Sequence, residues 1–247
     1  MRSIALALAA TAALLIPTDA LGSVGCAVDG DAASITTSEF GEGVALRRTG
    51  DAIAVTDDRT GTPVGCAGGS PAIGTVARVA VSAASDETSV YIDRAGGEFT
   101  GVGFELTGPS MFLGVGGTRR DDVATFSSAD GSTFASLTPD GEEIVAADLI
   151  NVLARGGGGG DHLSAAESLE GPRGAPRPLR VSATFEGGAG GDFLVGGRAP
   201  DVLSGGSGRD VVMGGPGADD IDCGAGRDTV VNSRRRDRVR SCEKSVP

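Results

Sequence analysis

Residues 187–240 read GGAGGDFLV GGRAPDVLS GGSGRDVVM GGPGADDID CGAGRDTVV NSRRRDRVR, one nine-residue unit written six times without a gap. In register, the sixth place is always Asp (Asp192, Asp201, Asp210, Asp219, Asp228, Asp237) and the eighth always aliphatic (Leu194, Leu203, Val212, Ile221, Val230, Val239). A fixed short period of this kind marks a repeat architecture whose units stack on one another.

The residue types dictate the chemistry of each unit. Glycine in the first, second and fourth places lets the backbone take positive-φ turns that a Cβ resists, so carbonyl oxygens can face inward together. The Asp adds a carboxylate at the loop's end. Carboxylates mixed with backbone carbonyls suit Ca²⁺, a hard cation that takes six to eight oxygens. The repeat has no thiolate or imidazole pair to favour a softer metal. The last three places form a short strand whose eighth residue points inward, because side chains alternate faces along a strand.

If one turn holds two units, units two apart stack on the same edge, about 4.7–4.9 Å apart. Asp192, Asp210 and Asp228 then line one edge, and Asp201, Asp219 and Asp237 the other. An ion between stacked loops would offset carboxylates that otherwise repel, so folding is expected to depend on calcium. Cys223 and Cys242 test this winding, since they lie one turn of eighteen residues plus one apart. A two-sided turn brings them within disulfide range, and a three-sided turn of 27 residues parts them.

Residues 187–243 resemble the RTX, or hemolysin-type, calcium-binding repeats, and the closing DTVVNSRRRDRVRSCE resembles the tail of secreted repeat proteins. The resemblance implies several Ca²⁺ ions held by loop carbonyls and Asp carboxylates. Carried onto this chain, the ligand loops are Gly187, Gly188, Gly190 with Asp192; Gly196, Gly197 with Asp201; Gly205, Gly206, Gly208 with Asp210; Gly214, Gly215, Gly217 with Asp219; and Gly224, Gly226 with Asp228. Two departures matter. Ala199 replaces the third glycine of the second unit, and the sixth unit has no glycine, with Arg234, Arg235 and Arg236 on the metal side.

One further unit, GGGGGDHLS at 156–164, places Asp161 and Leu163 in their columns. Asp161 precedes Asp192 by a distance that is no multiple of nine, which points to an insertion at 165–177 containing Pro172 and Pro176. Residues 178–186 then form a coil without a metal loop, with Phe185 inward, and Asp161 with Asp192 makes one more calcium site. The competing reading of five consecutive glycines is a flexible linker.

The chain opens with Arg2, an apolar run from Ile4 to Ile16, Pro17 and small residues around Ala20 and Gly22, the pattern of a secretory signal peptide over 1–22. The run is too short to span a membrane, and no later stretch is apolar enough to do so. Ser23 before Val24, Gly25 and Cys26 stands where a lipidation site wants an aliphatic residue. Four cysteines in an exported chain read as two disulfides, and Cys26 with Cys66 and Cys223 with Cys242 is the local solution among three pairings.

The formal charge is −12. Such acidity argues against nucleic acid as a partner and fits a calcium stack. With no Trp, one Tyr and 42 Gly, large core side chains are scarce, so metal and disulfides are expected to substitute for a thick core.

Between the signal and the repeats, short period-two pieces separated by turns predict strands: Ala33–Thr37, Val44–Arg48 and Ala52–Thr56 in a disulfide-closed region 23–74, then Val76–Val81, Ser89–Ile92, Gly103–Leu106, Met111–Val115, Val123–Phe126 and Phe134–Leu137 in a β scaffold 75–155. Asp29-Gly30-Asp31 reads as a turn rather than a calcium loop, because the EF-hand spacing fails after Asp31. Asp86, Asp121, Asp122, Asp130 and Asp140 are read as turn residues. The expected fold class is all-β, with a two-sided parallel β-roll over 156–243 and a tail at 244–247. The arginines of the last turn read as a polar cap, with a patch for an anionic cell-surface polymer as the alternative.

His162 is the only histidine. The chain has neither His-Glu-x-x-His nor Gly-x-Ser-x-Gly, and aromatics for a sugar cleft are few. The expectation is a secreted calcium-binding repeat protein of structural or adhesive kind and no enzyme. The alternative is a secreted hydrolase whose catalytic half precedes a calcium-stabilised tail.

Overall fold

The computed structural model describes residues 24–129, 132–136, 143–147, 149–166 and 177–247. The expected signal peptide, Leu137, Asp130, Asp140 and the two prolines of the expected insertion lie outside them. Among the described residues every regular element is a strand, so the protein is all-β.

Two sheets take up the strands of the described residues. One runs, in spatial order, through Val24–Asp29, Ala32–Thr37, Arg78–Ala83, Gly103–Thr107, Glu143–Ala147, Ser132–Ser136, Val123–Ala129, His162–Ser164, Phe193–Val195, Val211–Met213, Thr229–Val231 and Lys244–Val246. The other runs through Ala52–Asp57, Gly43–Thr49, Ser89–Asp93, Met111–Gly116, Leu149–Gly158, Ser182–Gly190, Val202–Gly208, Asp220–Gly226 and Arg238–Arg240. From Ser182 onward the chain crosses from one sheet to the other after each strand. Parallel partners there are mostly two nine-residue units apart, as in Leu203↔Ile221 and Leu194↔Val212.

Constant register produces the core. On the second sheet Leu46, Ile92, Val115, Ala154, Phe185, Leu203 and Ile221 pair in one row, all buried. Each large aliphatic or aromatic member of such a row contributes about 1.5–3 kcal/mol on burial. The row ends at Val239, which is 37% exposed. Facing it, Leu163, Leu194, Val212 and Val230 form the matching row of the first sheet.

The strand expectations for 33–126 agree with the observed strands to within a few residues. Val24–Asp29, Glu143–Ala147, Leu149–Gly158 and Lys244–Val246, the last read from sequence as a tail, have no strand counterpart in the sequence reading. The first pairs antiparallel with Ala32–Thr37 around Gly30, which confirms Asp29-Gly30-Asp31 as a hairpin turn with Gly30 at φ 58°. The second belongs to a meander with Ser132–Ser136 and Val123–Ala129, inserted into the first sheet only. The sheets do not pause at the regional limits 74 and 155. Ala32–Thr37 pairs with Arg78–Ala83, and Leu149–Gly158 runs through the second limit.

Disulfides join Cys26 to Cys66 and Cys223 to Cys242, with Cα separations of 4.4 and 5.1 Å. The second ties the tail onto the last full coil. In the same coil Arg240 faces the neighbouring strand, 3.0 Å from Asp220 and 3.5 Å from Asp222, a charge-balancing contact of the kind the polar-cap reading expects of it.

Candidate metal centre

On the edge formed by loops 156–161, 187–192, 205–210 and 223–228, the aspartates build a hydrogen-bond ladder. The Asp161 N–H donates to Asp192 Oδ1, that of Asp192 to Asp210 Oδ1, and that of Asp210 to Asp228 Oδ1, each at 2.8 Å. One carboxylate oxygen of every residue is thereby fixed by the coil before it. The other oxygen, Oδ2 of Asp161, Asp192, Asp210 and Asp228, is buried with no hydrogen-bond partner. An ionised carboxylate left this way costs several kcal/mol unless a cation answers it.

Burial accordingly raises the carboxyl pKa of Asp161 to about 7, with smaller contributions from Asp192, Asp122 and Asp121, and it raises those of Asp192 and Asp210 as well.

Glycine is required at two kinds of place here, for different reasons. The second and fourth places, Gly188 and Gly190, Gly206 and Gly208, Gly224 and Gly226, do take positive φ. The first-place glycines Gly156, Gly187 and Gly205 do not, contrary to the expectation from sequence. What they provide is space. A Cβ on Gly187 would run into Asp192 Oδ2 and come within 2.6 Å of the Gly205 carbonyl oxygen, and one on Gly205 would meet the Cys223 carbonyl and, at 2.6 Å, Asp210 Oδ2. Oxygens therefore converge on the volume that a side chain would fill.

Among the described residues no three His, Cys, Asp or Glu side chains converge on one point. An ion at these levels must take most of its oxygens from the backbone, as a hard cation can.

A Gly187→Ala substitution, at a position without positive φ, is expected to weaken calcium uptake by about 1–3 kcal/mol through overpacking alone. Calorimetric titration checks this, and an unaltered isotherm would place the ion elsewhere.

The opposite edge is less regular. The Asp201 N–H donates to Asp219 Oδ1 at 3.0 Å and that of Asp219 to Asp237 Oδ1 at 3.3 Å. Asp219 Oδ2 is buried and unpartnered, and desolvation raises its pKa. Asp201 differs, because both its oxygens already accept backbone N–H groups, from Ala183 at 2.8 Å and Gly197 at 2.7 Å. Burial still lifts its pKa to about 6. Of Gly196, Gly197, Gly214, Gly215 and Gly217 only Gly215 takes positive φ. Pro200 and Pro216 in these loops, and Ala199 in a fourth place, fit that difference. Asp237 takes the Arg234 N–H at 2.5 Å, so the sixth loop closes on its own backbone.

Residues 186–221 and 199–230 match the RTX calcium-binding nonapeptide repeat, in four copies. This stretch is an RTX repeat array. No curated protein and no solved structure matches the chain. The RTX match starts one residue before Gly187 and leaves out the loop of Asp161, which joins the same ladder by geometry. His162, next to it, stacks edge-on against Phe193 at 5.0 Å.

Asp122, read from sequence as a turn residue, is a correction. It is 5% exposed, and its N–H donates to Asp161 Oδ1 at 2.8 Å, so it is the lowest rung of the ladder. The signal was present in GTRRDDVAT at 117–125, with Asp in the sixth place and Ala124 in the eighth, but no second or fourth glycine drew attention to it. At the other end Glu243 Oε2 takes the Asp228 N–H at 2.7 Å, in the place of a further Asp.

Proposed function

We propose that residues 156–230 wind as a two-sided parallel β-roll that binds several Ca²⁺ ions, chiefly along the edge of Asp161, Asp192 and Asp210. Asp219 serves the opposite edge. The observation that carries this reading is the row of buried carboxylate oxygens without donors, of which those of Asp161, Asp192 and Asp210 each face a carbonyl across a glycine that a methyl group would fill. Calcium, when bound, supplies the positive charge that these oxygens lack. The chain supplies fixed spacing, because the ladder holds each carboxylate by its other oxygen.

The protein acts as a secreted structural or adhesive module rather than an enzyme. Two disulfides fit an oxidising compartment, and the stretch that resembles a signal peptide fits export. Hydrolysis of polysaccharide, ester or peptide substrates by the full chain, above a heat-killed blank, would overturn the non-enzyme reading.

Calorimetric titration of the full chain with calcium tests the metal reading, with expected uptake of more than one ion. No heat and no bound metal at millimolar calcium would sink it.

The raised carboxyl pKa values set its pH dependence. In the metal-free fold these groups hold protons more tightly than in the unfolded chain, whose carboxylates titrate near 4. Metal-free stability is therefore greatest in acid and falls as pH rises from about 4 through about 7. Calcium must displace those protons, so its affinity rises over the same window. Denaturation in chelator at pH 5 and 8, with the pH 5 sample no more stable, would contradict this.

A further inference from the structure

Strand register aligns the first-place residues in one column that extends past the repeats at both ends. Asp93 pairs with Gly116, Gly116 with Arg155, and Arg155 with Glu186. Gly188 pairs with Gly206 and Gly206 with Gly224. The residues following or preceding these pairs, in order along the stack, are Arg94, Gly117, Gly156, Gly187, Gly205 and Cys223. Only the two ends carry side chains.

Arg94 is 1% exposed, and its Nη1 lies 3.1 Å from Asp122 Oδ1 in a buried pair. Asp122 Oδ2 accepts the Thr118 N–H at 2.6 Å and the Thr118 hydroxyl at 2.9 Å. The lowest rung therefore has protein donors on both oxygens, whereas Asp161, Asp192, Asp210 and Asp228 above it each keep Oδ2 bare. At the far end the Cβ of Cys223 stands where Gly156, Gly187 and Gly205 leave room, and the disulfide to Cys242 holds it there.

We infer that Arg94 and Thr118 together make Asp122 a rung that needs no metal ion. The guanidinium, supplied from the coil beneath, meets Oδ1, the oxygen that takes an amide higher up, while the Thr118 N–H and hydroxyl cap Oδ2, the oxygen left bare higher up. Cys223 and its disulfide close the opposite end, so ions enter only at the levels of Gly156, Gly187 and Gly205 on this edge. The coils around Arg94 and Asp122 are thus set without metal, and they present the first ordered rung on which the calcium levels stack. This inference rests on the calcium reading for the upper levels but not for its own level.

Hydrogen exchange of the full chain, with calcium and with chelator, separates the two. In the wild-type chain, residues 111–129 keep their protection in chelator while residues 187–230 lose it. Arg94→Met leaves Asp122 buried without its cation and should speed exchange over 111–129 by roughly a hundredfold in chelator, the scale for breaking a buried pair. Adding Asp122→Asn removes the orphan charge and should restore most of that protection, because a neutral residue there still accepts from Thr118. Wild-type protection in Arg94→Met, or a double variant no better than the single one, would overturn the inference. Protection over 187–230 that ignores chelator would instead overturn the calcium reading and leave Arg94 as an ordinary buried pair.

Discussion

Stripping calcium with a chelator is expected to unstack residues 187–230 and erase much of the strand signal in far-ultraviolet circular dichroism. A ligand that binds only the folded state at a hundred times its dissociation constant stabilises by about 2.7 kcal/mol per site. Three levels on the Asp161 edge would together supply roughly 8 kcal/mol on that scale. That is comparable with the whole stability of a typical domain, about 5–15 kcal/mol. The aliphatic row cannot hold the tail alone, since each coil adds only a residue such as Leu203 or Ile221 from one sheet and Leu194 or Val212 from the other. A spectrum unaltered by chelator over this region would mean that the bare carboxylate oxygens are met by protons rather than by metal.

A second large effect is expected at the fourth places. Gly190 and Gly208 sit at φ 136° and 146°, and a Cβ on either would overlap the carbonyl oxygen of the coil before, Gly159 or Gly190. That oxygen is backbone and cannot swing aside. Backbone strain at such a φ costs about 1–3 kcal/mol, and forcing a methyl into a packed site costs about as much again. Gly190→Ala should therefore lower calcium-saturated stability by roughly 3–5 kcal/mol. A fall in thermal midpoint of about 6–20 °C follows for a chain of this size. A shift under about 2 °C would show that the loops have freedom the geometry denies them. Comparing this variant with Gly187→Ala separates strain from occupied space, because only Gly190 has a positive φ.

Most of the ladder was legible in the sequence, because Asp192, Asp210 and Asp228 and their inward partners recur at one period and the fold preserves that period as register. The pairing of Cys223 with Cys242 followed for the same reason. Arg94 was not legible. Its loop has no repeat, and only the pairing of Asp93 with Gly116 brings it beneath Gly117. The role of the first-place glycines was half visible. Composition announces that no side chain is wanted there, but whether for torsion or for room depends on where Asp192 Oδ2 comes to lie. The meander of Val123–Ala129, Ser132–Ser136 and Glu143–Ala147 was legible only as period-two pieces for its first two strands, because antiparallel neighbours are joined locally and leave no long-range spacing.

The constant register has a consequence for how such a chain can change length. Every coil between Gly187 and Asp228 offers its neighbour the same three fittings: an amide for the next carboxylate, an oxygen for the previous amide, and an inward aliphatic. Cutting out or duplicating eighteen residues there would shorten or extend the molecule by one storey while Arg94 and Cys223 stayed fitted to their ends. A change of nine would swap the two edges and set the regular loops on the irregular side.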